Sequence, residues 1–374
     1  MTARRVVAFG GGHGLSASLR ALRHCAPELD LDITAVVTVG DDGGSSGRLR
    51  AERGGLPPGD LRQALVALAG DHPATRRSAG LFQHRFAAVP AGVPPLGEAD
   101  PVPAAADRRN PDPHDQGANS QGPDDRGADG PGATVPGAER ASVRADGLAG
   151  HAVGNLVLCG LMEMLGDPVA ALEHAGAMLG TVGRVLPMSR QPVGIEAQVR
   201  GVDPAAPDEV RTVRGQHQVA VTTGRVESLR LTPSAPPACA EVIEAIRAAD
   251  WLIFGPGSWY TSVLPHLLVP QLADAIVSTS ARRLVTLNLA AEKETLGLSV
   301  ADHLAALHWY LPELKVDLVL ADAKAVGDPE PVERAAESLG ARLVLAPVAV
   351  TGGTPRHDPA ALGAALVPVL GADR

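Results

Sequence analysis

The chain of 374 residues is poor in aromatics: Phe, Trp and Tyr together make up 2% of it. A core in a chain of this length must then be built from Ala, Val, Leu and Ile, which suits a parallel sheet covered by helices. Cysteine is also scarce, standing only at 25, 159 and 239 with no CxxC spacing. That excludes a disulfide framework and a zinc site, and the thiols are expected to be reduced. No apolar run approaches the roughly 18 residues of a membrane helix. A glycine loop begins at Gly10, so no room is left for a signal h-region. The expectation is a cytoplasmic protein with no membrane insertion. Basic residues are not in excess, and the net charge is −9. That argues against a nucleic-acid partner, because no broad footprint for a phosphate backbone is present. No G-x-x-x-x-G-K-S/T occurs, which removes a Walker-type NTPase.

Residues 90–147 stand apart, with ten Pro, nine Gly, no aromatic and only five of Val, Leu, Ile or Met. Such a stretch buries too little apolar surface to offset its ordering entropy, so a disordered insertion is expected, with a regulatory tether as its functional alternative. Around it the chain alternates. Apolar runs at Arg5–Phe9, Ile33–Val39, Trp251–Phe254, Leu284–Leu289, Val316–Leu320 and Ala341–Leu345 predict buried parallel strands. Helical spacing follows at Leu15, Leu19 and Leu22, and again at Leu61, Leu65 and Leu68, with Asp60 placed to cap the second helix. The fold class is therefore α/β: a doubly wound, mostly parallel, Rossmann-like sheet. Residues 1–89 form its first part, 90–147 the insertion, and 148–374 the remainder. Within that remainder, 182–231 is a small β-rich excursion, with Gln218–Val221 and Val226–Leu231 as short strands.

Four loops carry candidate chemistry. The first, GGGHGLSASL from Gly10 to Leu19, contains G-x-G-x-x-A after a strand and before a helix. Glycines there let backbone N–H groups approach a phosphate at a helix N-terminus, which makes Gly11, Gly12, His13 and Gly14 binding candidates. The fingerprint also permits a nicotinamide dinucleotide, but no hydride-site acid/base pair accompanies it. The second loop, Thr38 to Arg48, brings Asp41, Asp42, Ser45 and Ser46 to the end of the second strand. Its acids suit either a ribose hydroxyl or Mg²⁺ beside a diphosphate, and its glycines, serines and Arg48 suit phosphate oxygens. The third is GHAVGN, where His151 and Asn155 are spaced i, i+4 to share one helix face. In the fourth, GPGSWYTS, the residues Gly255, Gly257 and Ser258 offer donors at another helix start, and Trp259 and Tyr260 suit either a stacked base or a helix staple.

In their order, GGGHGLSASLRAL, TVGDDGGSSGRLR, LPPGDLRQALVAL, GHAVGNLVL, ADWLIFGPGSWYTSVLP and SVADHLAAL resemble the YvcK family, the gluconeogenesis factors, a branch of the CofD-like superfamily. The resemblance spans nearly the whole chain outside 90–147. It implies a cytoplasmic protein that binds UDP-sugars such as UDP-N-acetylglucosamine and regulates cell shape, wall synthesis and carbon metabolism, with no assigned catalysis. It implies a protein partner in those processes, leaves self-association open, and makes Tyr260 a UDP-sugar contact. The CofD relatives are instead Mg²⁺-dependent transferases. They move a 2-phospholactyl unit from a guanosine diphosphate-linked donor to a deazaflavin. The chain departs from the family at 289–296. Relatives read close to MTQPGETD there, whereas Leu289–Leu296 keeps Glu294-Thr295 and loses the Gln, the Gly and the last Asp.

Overall fold

The structure, a computed structural model, describes residues 3–88, 147–295 and 297–372. Residues 1–86 and 150–374 form one compact unit; the proposed disordered insertion at 90–147 lies almost wholly outside the described residues. Seven strands build the main sheet: β1 (Arg4–Gly10), β2 (Leu31–Val37), β3 (Arg184–Pro187), β7 (Trp251–Phe254), β8 (Arg282–Thr286), β9 (Leu318–Asp322) and β10 (Arg342–Ala346). Their order is β10-β9-β8-β7-β1-β2-β3, and every pairing is parallel. A smaller antiparallel sheet, ordered β5-β4-β6, consists of β4 (Gly194–Arg200), β5 (Val210–Arg214) and β6 (Arg225–Thr232).

The central strands are apolar throughout because both faces are covered. Val6 to Phe9 and Trp251 to Phe254 are all buried, and Phe9 stacks on Phe254 with ring centroids 4.9 Å apart. The first helices, α1 (Gly12–His24), α2 (Gly44–Arg53) and α3 (Pro58–Leu68), follow β1 and β2. Leu15, Leu19 and Leu22 on α1 and Leu61, Leu65 and Leu68 on α3 are buried as their spacing requires. The chain leaves β1 for β2 and β3 on one side and later adds β7 to β10 on the other. The crevice at the carboxyl ends of β1 and β7 is the place where open α/β sheets bind ligands.

Three local expectations are corrected. Gln218–Val221 is not a strand but part of a helix, Gln216–Val221, whose Val219 is buried among core residues while Gln218 stays exposed. Asp60 does not cap α3; Pro57 holds that position, and Asp60 sits inside the first turn, buried. The third strand of the main sheet, β3, lies in the segment expected to hold only the β-rich excursion; its four residues carry too little pattern to separate it.

At Gly14 the glycine loop fits because its neighbours are backbone. Gly12 has φ +54°. A methyl carbon on Gly14 would stand 2.3 Å from the Pro256 carbonyl oxygen and 2.4 Å from Gly257 Cα. We expect Gly14→Ala to destabilise the protein by about 1–3 kcal/mol in denaturant titration, because backbone rather than a flexible side chain must give way. Gly80→Ala is the matched control. It lies inside the helix Pro73–Gln83 with nothing within 4 Å, and should stabilise by about 0.5–1 kcal/mol.

Candidate functional site: an anion cradle at the strand ends

Two helix N-termini open beside each other without side-chain caps. The N-cap of α1 is Gly11 and that of α2 is Gly43; neither makes a side-chain capping bond, and neither first turn holds an acid. The first intrahelical bonds are Leu15 N–H to Gly11 O and Gly47 N–H to Gly43 O. The earlier N–H groups are left for other partners, and the dipoles of both helices favour negative charge there. One is taken by Asp60, whose carboxylate faces the Gly12 N–H. Burial pushes the Asp60 carboxyl up to about 7, and the charge of Asp41 adds to the effect. Its Oδ2 and the hydroxyl of Thr38 are buried without partners, and both lie 2.6 Å from where a methyl on Gly11 would go.

In front of these termini is a cavity of about 1050 Å³. His13, Asp41, Asp42, Ser45, Ser46 and Asn155 line it, so loops two and three converge there with His13 of loop one, whereas Gly11, Gly12 and Gly14 do not line it. Guanidiniums from Arg48, Arg62 and Arg85 line it too. The convergence is enforced by a chain of hydrogen bonds. Arg62 Nε donates to Asn155 Oδ1 at 2.8 Å, Asn155 Nδ2 donates to Ser45 Oγ at 2.9 Å, and Ser45 Oγ pairs with His151 Nδ1 at 2.9 Å. Arg62 also donates to Gln83. His151 itself lies before its helix, which spans Val153–Leu165, not on it. The shared-face argument is therefore replaced: His151 and Asn155 meet at Ser45 from the two sides of a helix start. His151 is buried behind the serine rather than lining the cavity.

Three guanidiniums and two carboxylates line the cavity. Burial lowers the His13 imidazole from its ordinary value, helped by Arg20, Arg62 and Arg356. Burial and the neighbouring Arg85 bring Arg62 down to about 10, against the pull of Asp60 and Asp41. Both acids of the second loop bond backbone: Asp41 Oδ1 accepts from Gly43 N–H at 3.0 Å and Asp42 Oδ1 from His217 N–H at 2.8 Å. Among the described residues, no group of three or more His, Cys, Asp or Glu is arranged to hold a metal ion.

The fourth loop is arranged differently from the sequence expectation. Gly257 N–H donates to Asn288 Oδ1 at 2.9 Å, and Ser258 Oγ and Tyr260 N–H donate to Glu294 Oε1 at 2.6 and 2.9 Å. The donors assigned to a phosphate are thus committed to the chain, and Gly255, whose carbonyl accepts from Ser18 Oγ at 2.8 Å, supports α1 from beneath. Tyr260 is 6% exposed and does not line the cavity. Of the altered 289–296 motif, the retained Glu294 holds this turn; burial raises its carboxyl to about 7.

The sequence reading did not single out Arg62, Arg85, His217, Arg20 or Arg356. Arg62 alone left a trace: a charged residue directly after the core position Leu61, in the same motif as Asp60. It is 4% exposed. Arg20 lies on α1 within the first motif, while Arg85, His217 and Arg356 come from segments distant in the chain, and nothing local marks them.

These features define an α/β protein with a parallel sheet, two bare helix N-termini and three arginines gathered around one cavity. Residues 6–344 match the family described as 2-phospho-L-lactate transferase CofD, and the chain belongs to that family. Over 372 residues it is 44% identical to a Mycobacterium tuberculosis protein, covering 98% of this chain and 91% of that one. It is 32% identical over 341 residues to the gluconeogenesis factor of Bacillus subtilis, covering 91% and 84%. A crystal structure of a UPF0052 family member from Bacillus halodurans superposes with TM-score 0.72 at 29% identity, covering 98% and 99%. The resemblance to the gluconeogenesis-factor branch is borne out. Among the described residues, no helix is long and apolar enough to cross a membrane.

Two outcomes test this geometry. A carboxyl raised by burial favours folding with its proton on. That stability is complete below the ordinary carboxylate value and is lost as pH rises through about 7. Asp60→Asn should therefore gain stability relative to the parent by roughly 1–3 kcal/mol between pH 5 and pH 8, read from urea unfolding at each pH. Tyr260→Ala should lose about 2–4 kcal/mol, as a buried aromatic does; an unchanged melting temperature would place that ring outside the core.

Proposed function

We propose that the cavity binds the diphosphate of a nucleotide sugar, UDP-N-acetylglucosamine or a close UDP-sugar, and that the protein holds this ligand rather than reacting it. The carrying observation is the pairing of two uncapped helix N-termini with Arg48, Arg62 and Arg85 around one cavity. A diphosphate diester matches that donor set in charge and shape. The volume, about 1050 Å³, leaves room for a sugar and a base beside the phosphates. The gluconeogenesis-factor name of the Bacillus subtilis relative and the family resemblance support a regulatory role in carbon metabolism, cell shape and wall synthesis. In that role the liganded form is what a cytoplasmic protein partner recognises.

A second reading rests on Asp41 and Asp42 lining the same cavity. Two carboxylates are the protein share that Mg²⁺ takes when substrate phosphates supply further ligands. Each has one oxygen on a backbone N–H and a second that does not share that bond, so the pair fits a cation carried in with a diphosphate. Asp41 and Asp42 would hold it, and it would neutralise phosphate charge. On this reading the protein is a CofD-type transferase acting on a nucleotide diphosphate donor.

Calorimetry with UDP-N-acetylglucosamine and UDP-glucose, with and without Mg²⁺, decides between them. Saturable binding is expected, and Arg48→Ala should weaken it by about tenfold or more, the range for one charge-assisted contact. No heat or thermal shift with either UDP-sugar at millimolar concentration would end the first reading. Phospholactyl transfer to a deazaflavin, followed by mass spectrometry, would establish the second.

A further inference from the structure

Ser45 was expected to offer its hydroxyl to a phosphate, but its hydrogen bonds give it the opposite polarity. Arg62 can only donate, so the Asn155 oxygen faces Arg62 Nε and the Asn155 Nδ2 faces Ser45 Oγ. Ser45 Oγ therefore accepts from Asn155. Its single proton remains for His151 Nδ1, 2.9 Å away, when that imidazole is neutral with its own proton on Nε2. In this state Ser45, which lines the cavity, has no proton to give a phosphate oxygen.

Protonating His151 reverses the bond. Nδ1 then carries a hydrogen and donates to Ser45 Oγ, which accepts from His151 and Asn155 together. The serine proton must turn toward the cavity, where a phosphate oxygen would accept it. We propose that the Ser45–His151 pair is a proton-gated phosphate contact, so that filling the cavity with a phosphate diester draws one proton onto His151.

Three arginines outnumber one carboxylate near His151. Around His151 stand Arg48 and Glu52 of α2 and Arg85 from the segment after the helix Pro73–Gln83, with Arg62 reaching it through Asn155 and Ser45. Burial and then Arg48 hold the free imidazole below its ordinary value, with Arg85 adding to them and Glu52 opposing. An anion seated among Arg48, Arg62 and Arg85 offsets those cations and lets His151 charge. By linkage, protonation then strengthens anion binding by the same factor. The coupling rests on the phosphate reading of the cavity, and goes beyond it in naming a residue and a proton.

The test is calorimetry of UDP-N-acetylglucosamine on the full chain from pH 8 to pH 6, in buffers of different ionisation enthalpy. The diphosphate diester of this probe does not titrate in that range, so any proton taken up belongs to the protein. Uptake approaching one proton per ligand is expected at the acid end, with affinity rising toward about tenfold per pH unit. His151→Asn should abolish the uptake. Ser45→Ala should abolish it as well with the imidazole still in place, which a purely long-range effect of His151 would not produce; it also serves if the buried His151 variant fails to fold. His13→Asn should keep the uptake. Binding without uptake, uptake that survives Ser45→Ala, or uptake lost only in His13→Asn overturns the coupling while leaving the phosphate site intact. No binding at any pH removes the phosphate reading, and the coupling with it.

Discussion

The site depends on one constraint: the first glycine loop is clamped by groups that admit no Cβ. Gly14 meets the backbone of Pro256 and Gly257, and Gly11 meets Asp60, Thr38 and Ser262. These contacts come from the residue after β2, from α3 and from the segment after β7, so one loop fixes the relative positions of three segments. With the loop seated, α1 starts directly above β1 and its dipole points at the cavity. Close packing transmits this geometry because interiors at crystal-like density do not absorb a displaced methyl.

A second constraint follows from the first. With α3 placed by Asp60 under the loop, Arg62 two residues later faces Asn155, and the bonds through Ser45 to His151 close the far wall. Arg62, Asn155, Ser45 and His151 are all buried, and each has a partner, which is what a buried network needs to be stabilising rather than costly. Specificity enters through polarity: a donor fixed by one neighbour and an acceptor fixed by another decide what the serine shows the ligand. Two of the buried atoms without partners lie elsewhere, at Thr38 and Asp60 next to Gly11.

The fourth loop shows how similar sequence signals serve different ends. Glycine, serine and a following helix also occur at 255–262, yet Asn288 and Glu294 take up its donors from the inside. In both loops the local pattern promises backbone donors. Which donors reach a ligand depends on whether a polar side chain from a neighbouring strand end arrives first. Glu294 serves on this basis as a tie for the turn.

The residues by themselves determined the α/β class, five of the seven main strands to within about two residues, the buried faces of α1 and α3, and the loops from which the cavity is made. These follow from periodicity and from glycine's conformational freedom, which are local properties of the chain. The exceptions are instructive. The strand at Leu284–Leu289 starts two residues earlier and ends at Thr286, and Gln216–Val221 turned helical because tertiary packing overrides a short alternating run. Only the tertiary structure decided that Asp60 lies under the glycine loop, that Arg62 and Arg85 join Arg48, that Ser45 faces a histidine more than a hundred residues away, and that Tyr260 is buried. Burial, charge and hydrogen-bond polarity are properties of what surrounds a side chain, and those surroundings exist only once distant segments have met.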